Sequence, residues 1–249
     1  MRHITLLVTL LLLGGLLLAC GKDLQPPAAS PAGGSAAAPA LDQPLRPNTE
    51  AEQLALEATG AWLAPQSVYD RVVSELATIR RAYPVVGSIS ARPSWVPDDL
   101  LLAFDADGVK AITEGRYWAW DALNTRYGVA QIDTHRLEKR GAVALTFASR
   151  YNMPLVAEEY ARLPNIRYAE PNYMAGDGDD ICLLIDETKH FYIFDAGSGD
   201  CPAGCIDHTY WGFAIDVKGK VTVFGTWERR LDDTEPGWLQ ALSACRRWL

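Results

Sequence analysis

Between Leu100 and Pro171 the apolar pattern changes period in a definite order, and that order limits the possible folds more than any other feature of the chain. Leu100 to Phe104 is an apolar run stopped by Asp105-Ala-Asp107-Gly108, a strand followed by a turn. Tyr117 to Tyr127 places Trp120, Leu123 and Tyr127 on one helical face, and Gly128 is positioned to end that helix. Val129 to Asp133 and Ala142 to Phe147 read as strands around a polar loop, His135 to Arg140. Asn152 caps a helix through Leu163, with Met153, Val156, Tyr160 and Leu163 inward and Pro154 in the first turn, where proline is tolerated. Pro164-Asn165 breaks it, and Ile166 to Pro171 is the last strand. The order is β-α-β-β-α-β. Strand alternation then puts Leu101, Ala103, Ala144, Thr146, Arg167 and Ala169 on the sheet face opposite the helices. Side chains this small make much of that face flat.

The segment before this unit is helical. Asn48 or Thr49 caps a first piece that Gly60 ends or kinks. Pro65 and Ser67 open a second, in which Val68, Val72, Leu76, Ile79 and Tyr83 recur at steps of four and three. Asp70, Arg71, Glu75, Arg80 and Arg81 fall largely around the other side, and Pro84 stops the helix. Val85 to Ile89 has the composition of a short strand. Amphipathic helices beside a flat sheet face are expected to cover it.

A second β pattern begins at Ile181. Ile181 to Ile185 and Phe191 to Phe194 flank a turn. Ile206 to Val217 alternates, with Asp207, Thr209, Trp211, Phe213, Ile215 and Val217 on one face and His208, Tyr210, Gly212 and Ala214 on the other. Lys218-Gly219 leads into Lys220 to Trp227, where Val221, Val223 and Trp227 share a face. Thr234 caps a last helix with Trp238, Leu242, Cys245 and Leu249 on one side. The fold class expected is α+β: a ferredoxin-like β-α-β-β-α-β unit followed by a small antiparallel β-meander with a C-terminal helix.

The N-terminus carries an address. Met1-Arg2-His3 is basic, Ile4 to Leu18 is 15 residues of nearly unbroken apolar sequence, and Leu17-Leu18-Ala19-Cys20 closes it at a cysteine. The stretch is short for a membrane span and suits a signal h-region. Cleavage before Cys20 resembles the lipobox of bacterial lipoproteins, which implies diacylglycerol on the Cys20 thiol and a lipid bilayer as partner. Each buried methylene contributes about 0.8 kcal/mol, so two or three chains anchor stably where one does not. Gly21 to Asn48 holds Pro26, Pro27, Pro31, Pro39, Pro44 and Pro47 among Ala, Gly and Ser. It has too little to bury to offset the entropy of ordering, and would span roughly 30 Å as a coil or up to about 85 Å extended. By resemblance to sorting in enteric bacteria, Gly21 directs the protein to the outer membrane, on its periplasmic face.

Residues 1–19 are thus read as a signal peptide, 20–48 as a tether, 49–94 as a helical segment, 95–174 as the split unit and 181–249 as the second β domain. Losing Arg2 with the signal leaves 22 of 23 basic side chains against 31 acidic ones, a net of −9. Such a chain, with no basic run longer than a pair such as Arg80-Arg81 or Arg229-Arg230, is a poor partner for nucleic acid. With Cys20 lipidated, Cys182, Cys201, Cys205 and Cys245 remain. An even count in an oxidising compartment reads as two disulfides, with three pairings open. Pro202 and Gly204 bend the short loop enough to favour Cys201–Cys205, leaving Cys182–Cys245.

A family resemblance attaches to the split unit. Leu163-Pro-Asn-Ile-Arg-Tyr-Ala-Glu-Pro-Asn-Tyr173 is similar to the closing segment of subtilisin-type propeptides, and Trp95-Val-Pro-Asp-Asp-Leu-Leu-Leu-Ala-Phe104 to their opening strand. The resemblance spans Trp95 to Tyr173. It implies a binder of a subtilisin-like protease that docks the open sheet face on the enzyme and lays the following chain in its cleft. Glu170, Pro171, Asn172 and Tyr173 would then be protease-binding residues, within a cleft segment running to Asp177. The pattern departs from the family in two ways: no subtilase catalytic domain follows, and Ala175 to Asp180 leads into more folded protein.

Enzymatic chemistry is weakly marked. Cys201, Cys205 and His208, with His190 or Asp207, are zinc ligands by type but irregular in spacing. Asp177, Asp179 and Asp180, or Asp195 and Asp200, match no complete calcium loop. Ser198 with His190 or His208 lacks a Gly-x-Ser-x-Gly elbow. Neither a metal, a cofactor nor a catalytic residue is expected. The reading is a non-enzymatic lipoprotein that binds or inhibits a subtilisin-type protease; the alternative is a structural or ligand-binding envelope lipoprotein without inhibitor activity.

Overall fold

The computed structural model describes residues 46–229, 234–242 and 245. Cys20, the signal and most of the tether lie outside the described residues, as does Leu249. No described helix is long and apolar enough to cross a membrane.

Two helices open the described chain. In α1 (Thr49–Thr59) the Asn48 side chain accepts the Ala51 N–H at 2.9 Å, and Gly60 closes the helix in the left-handed region that glycine adopts without strain. α2 (Gln66–Ala82) follows. The strand expected at Val85 to Ile89 is instead a 3-10 turn, Pro84–Val86, because Val86 N–H bonds back to the Tyr83 carbonyl.

The first sheet holds β1 (Trp95–Phe104), β2 (Val129–Asp133), β3 (Ala142–Phe147) and β4 (Ile166–Tyr173) in the antiparallel order β2-β3-β1-β4. Between β1 and β2 lie α3 (Ala106–Thr113) and α4 (Asp121–Tyr127); α5 (Leu137–Arg140) precedes β3 and α6 (Met153–Ala161) follows it. The turn expected at Asp105 is the start of α3: the Asp105 carboxylate accepts the Gly108 N–H at 2.8 Å. Asp-x-Asp-Gly serves turns and helix caps by the same local bond, so pattern alone does not separate them. Leu100, Leu102, Phe104, Val143, Leu145 and Phe147 face Trp120, Tyr127, Val156 and Tyr160 in the core under the helices.

One strand departs from the expected alternation. Ala103 pairs with Tyr168 but Phe104 with Ile166, so Arg167 is an extra, bulged residue. A one-residue slip exchanges the faces. Tyr168 and Glu170, opposite Ala103 and Leu101, therefore line the face away from the helices in place of Arg167 and Ala169. Ala169 packs into the core.

The second sheet is a meander, β5 (Asp180–Ile185), β6 (Lys189–Ser198), β7 (Asp207–Asp216) and β8 (Val221–Arg229), paired in that order. The faces expected along β7 hold, but β8 bulges at Phe224. Val221 and Val223 oppose Ile215 and Phe213, whereas Trp227 opposites Tyr210 on the other face. The larger correction concerns α1 and α2. Their apolar stripe, Leu54, Val72, Leu76 and Ile79, packs on Ile181, Tyr192, Phe194 and Phe213 of this second sheet, not on the flat face of the first. The inner face of the meander carries large aromatic and branched groups, and burying those removes more apolar area than covering alanines and a threonine.

On the outer face, α7 (Gly237–Gln240) begins beyond Pro236 rather than at Thr234. Proline holds the preceding residue extended, so helix starts only after it. Leu239, Trp238, Leu242 and Cys245 gather there with Ile193 and Tyr210. Cys182 is bonded to Cys245 with a Cα separation of 5.5 Å, and Cys201 to Cys205.

Candidate functional site

The face of the first sheet opposite its helices presents Asp99 and Leu101 from β1, Ala144 and Thr146 from β3, and Tyr168 and Glu170 from β4, with Ala103 of β1 fully buried among them. Tyr168 is 49% exposed, and Arg167 lays its guanidinium 5.9 Å from that ring. Ala144, Thr146 and Leu101 are half-buried. This is a shallow, largely small-residue platform bordered by an aromatic ring and a carboxylate. Helices could seat on it closely, as on other sheet faces.

The expected cleft-binding residues follow the strand edge. Glu170 is exposed, while Pro171 is buried opposite Leu100. Asn172 donates its amide to Asp99 Oδ2 at 2.8 Å, and Tyr173 stands opposite Trp95, half exposed. The chain then turns back to the second sheet. Met174 N–H reaches the Ser94 carbonyl, and the Arg92 guanidinium donates to the Ala175 carbonyl. Asp177 N–H donates to the Cys201 carbonyl at 3.0 Å, and Asp177 Oδ2 accepts the Cys205 N–H at 2.9 Å. The segment after the last prodomain-type strand is thus tied to the Cys201–Cys205 loop.

Beneath this junction lies an acidic cluster that the sequence reading did not assemble. His208 is buried on β7, its Nδ1 3.0 Å from both oxygens of Asp195 while Nε2 faces Asp177 Oδ2 at 3.4 Å. Tyr210 stacks on the ring at 5.7 Å. A cavity of about 80 Å³ opens beside it, with Arg92, Met174, Asp177, Asp180, Asp195 and Tyr210 in its wall. Of the residues expected as zinc partners, Cys205 and His208 come together and Asp177 joins them. Asp207 faces the other side of β7, and His190 is bonded at 2.6 Å to Glu75 across the opposite sheet face. The carboxylates expected for calcium are engaged by backbone donors: Asp179 accepts Gly197 N–H, and Asp180 accepts Arg92 and Ile181 N–H. The signal for Asp177 was its place in the acidic link, but chain distance from His208 concealed it.

Burial dominates the electrostatics of the cluster. It pushes Asp195 up to about 7, with Asp180 and Asp177 adding to the rise against the opposing His208. Burial also pushes Asp180 up to about 6, with Glu57 adding to it against two backbone N–H groups and Arg92. In Asp177 burial acts upward too, but bonds from Cys205 and Gly178 N–H, with His208 and Arg92, bring it below the usual carboxylate range.

These directions set a pH dependence. Asp195 and Asp180 hold protons in the folded state that the unfolded chain has released. The stability this contributes is complete below the ordinary carboxylate value near 4 and is lost as pH rises through about 6 and 7. Asp177 acts oppositely, contributing above that ordinary value and losing it on acidification. Thermal melts are expected to show a midpoint that falls between pH 5 and pH 8 (a range bracketing about 6 and 7), with the slope flattened in Asp195→Asn. An unchanged slope in that variant would assign the dependence to other groups.

Among known families, residues 94–172 match the one described as the Fervidolysin N-terminal prodomain, which is of the subtilisin-propeptide type. The match covers about a third of the chain, the segment from the start of β1 to the end of β4. Comparisons with curated proteins and with solved structures found no match.

Proposed function

We propose that this protein is a non-enzymatic, lipid-anchored envelope protein that presents the prodomain-like segment 94–172 to a subtilisin-like serine protease. The observation that carries this reading is the platform of the first sheet, on which neither α1 nor α2 packs. The chain has two long amphipathic helices, yet both are spent on the second sheet. Leu101, Ala144, Thr146, Tyr168 and Glu170 are left for a partner, on a segment of propeptide type. Anchoring through acylated Cys20, placement on the periplasmic side of the outer membrane and the absence of catalysis belong to the same proposal and rest on the N-terminal sequence and on composition.

One observation favours the alternative, an envelope lipoprotein without inhibitor activity. The chain after β4 is bonded through Ala175 and Asp177 to Arg92 and the Cys201–Cys205 loop, so a cleft-filling tail has to leave those bonds first. Titration of the full chain against a subtilisin-like protease distinguishes the two. Inhibition of peptide hydrolysis that weakens in Glu170→Ala or Tyr173→Ala supports the inhibitor. Rapid cleavage of the chain with no loss of protease activity overturns it.

A further inference from the structure

Three separate stretches of chain converge at the Cys201–Cys205 loop. The Cys205 sulfur rests on Gly197 of β6, where any Cβ would collide with it, and Gly197 is the residue directly across from His208 in the β6–β7 register. Asp177 arrives from the link after β4. One ligand atom from each of Asp177, Cys205 and His208 lies within 4.8 Å of the others, and Cys201 Sγ is bonded to Cys205 Sγ.

The orientation of the imidazole is the second observation. His208 Nδ1 lies 3.0 Å from both oxygens of Asp195, and this contact turns Nε2 toward Asp177 Oδ2 at 3.4 Å. Carboxylate-bound imidazoles of this kind are the usual support of a metal-ligating histidine. The ring is buried and stacked on Tyr210, so its direction is set by packing as well. Cysteine sulfur, imidazole nitrogen and carboxylate oxygen together suit zinc, whose ligands at its bond lengths stand about 3.3 to 3.8 Å apart. The cluster has to contract by roughly 1 Å to reach that geometry.

We infer that the reduced Cys201–Cys205 pair, with His208 Nε2 and Asp177 Oδ2, binds one zinc ion, and that this site and the disulfide are alternative states of one loop. Two electrons and two protons from a dithiol break the Cys201–Cys205 bond, giving two thiols on the protein and a cyclic disulfide on the reductant. Zinc then replaces the two thiol protons, which are released to solvent. Pro202, Ala203 and Gly204 between the cysteines are exposed, and exchange rates depend on access. Asp195 positions His208 and does not itself touch the metal. The inference does not depend on the protease reading.

The test uses the full chain in detergent, reduced with a phosphine that is then removed without oxygen. Metal analysis after zinc addition is expected to find one equivalent in the reduced chain and none in the oxidised one. Cobalt as a probe is expected to give thiolate charge-transfer absorption and the intense ligand-field bands of a tetrahedral site. Cys201→Ser with Cys205→Ser should abolish both signals, and Asp195→Asn should weaken zinc affinity roughly 10- to 100-fold. Cys182→Ser with Cys245→Ser should leave them intact. The inference is overturned if the reduced chain takes up no zinc, or if uptake persists without Cys201 and Cys205. Should the Cys182/Cys245 variant not fold, the Cys201/Cys205 and Asp195 variants decide alone.

Discussion

Glu75→Ala is expected to destabilise the fold by about 3–5 kcal/mol, the range for removing one partner of a buried ionic cluster. The Glu75 carboxylate is 5% exposed and holds α2 on the second sheet. Oε2 accepts Tyr192 Oη at 2.7 Å and meets His190 Nδ1 at 2.6 Å, while Oε1 accepts Arg71 Nε at 2.7 Å. Burial pushes this carboxyl up, but the bonds from His190, Tyr192 and Arg71 more than reverse it, so it stands below its ordinary value and is charged at neutral pH. Alanine leaves His190 and Tyr192 buried at the helix–sheet contact without that acceptor. Urea denaturation of the variant should show a midpoint well below the parent's. A shift under about 1 kcal/mol, typical of an exposed ion pair, would mean that solvent replaces the carboxylate and that α2 is held by its apolar stripe alone.

Opening the Cys182–Cys245 bond by Cys182→Ser with Cys245→Ser is the second large effect. The two residues are 63 apart in sequence. Loop-closure entropy for that length amounts to about 4 kcal/mol, against about 2 kcal/mol for a loop as short as Cys201–Cys205. The long bridge pins α7, with Trp238 and Leu239, onto the outer face of the meander. Calorimetry should therefore show the Cys182/Cys245 variant melting roughly 10 °C lower, and the Cys201/Cys205 variant falling by about half as much. Equal shifts would show that loop length is not what decides the stabilisation.

Much of this architecture was legible because local rules and tertiary structure agree. Asn48, Gly60, Gly128 and Pro164-Asn165 mark element ends by cap and turn chemistry, and the meander follows from alternation along β5 to β8. The losses have specific causes. Single-residue bulges at Arg167 and Phe224 exchange the faces of everything beyond them, and no residue type announces a bulge at either place. Glu75 read as solvent-facing, although its spacing from Val72 and Ile79 puts it on the buried stripe; its partners His190 and Tyr192 lie 115 and 117 residues away. The choice of sheet for α1 and α2 depends on comparing two apolar faces, which alternation describes but does not rank. In the site, Glu170 and Tyr173 stand at the exposed edge of β4, whereas Asp177 reaches His208 only through the fold.

The docking face itself is open to a direct measurement: binding of the full chain to a subtilisin-like protease whose active-site serine has been blocked, so that neither cleavage nor cleft chemistry contributes. Ala144→Arg places a long cation at the centre of the platform, between Leu101 of β1 and Asp133 of β2, with its backbone pairing untouched. The parent chain is expected to bind, and Ala144→Arg to weaken binding by roughly 100-fold, as a clash at an interface centre does. Failure of the parent to bind, or equal binding by Ala144→Arg, would contradict docking through this sheet.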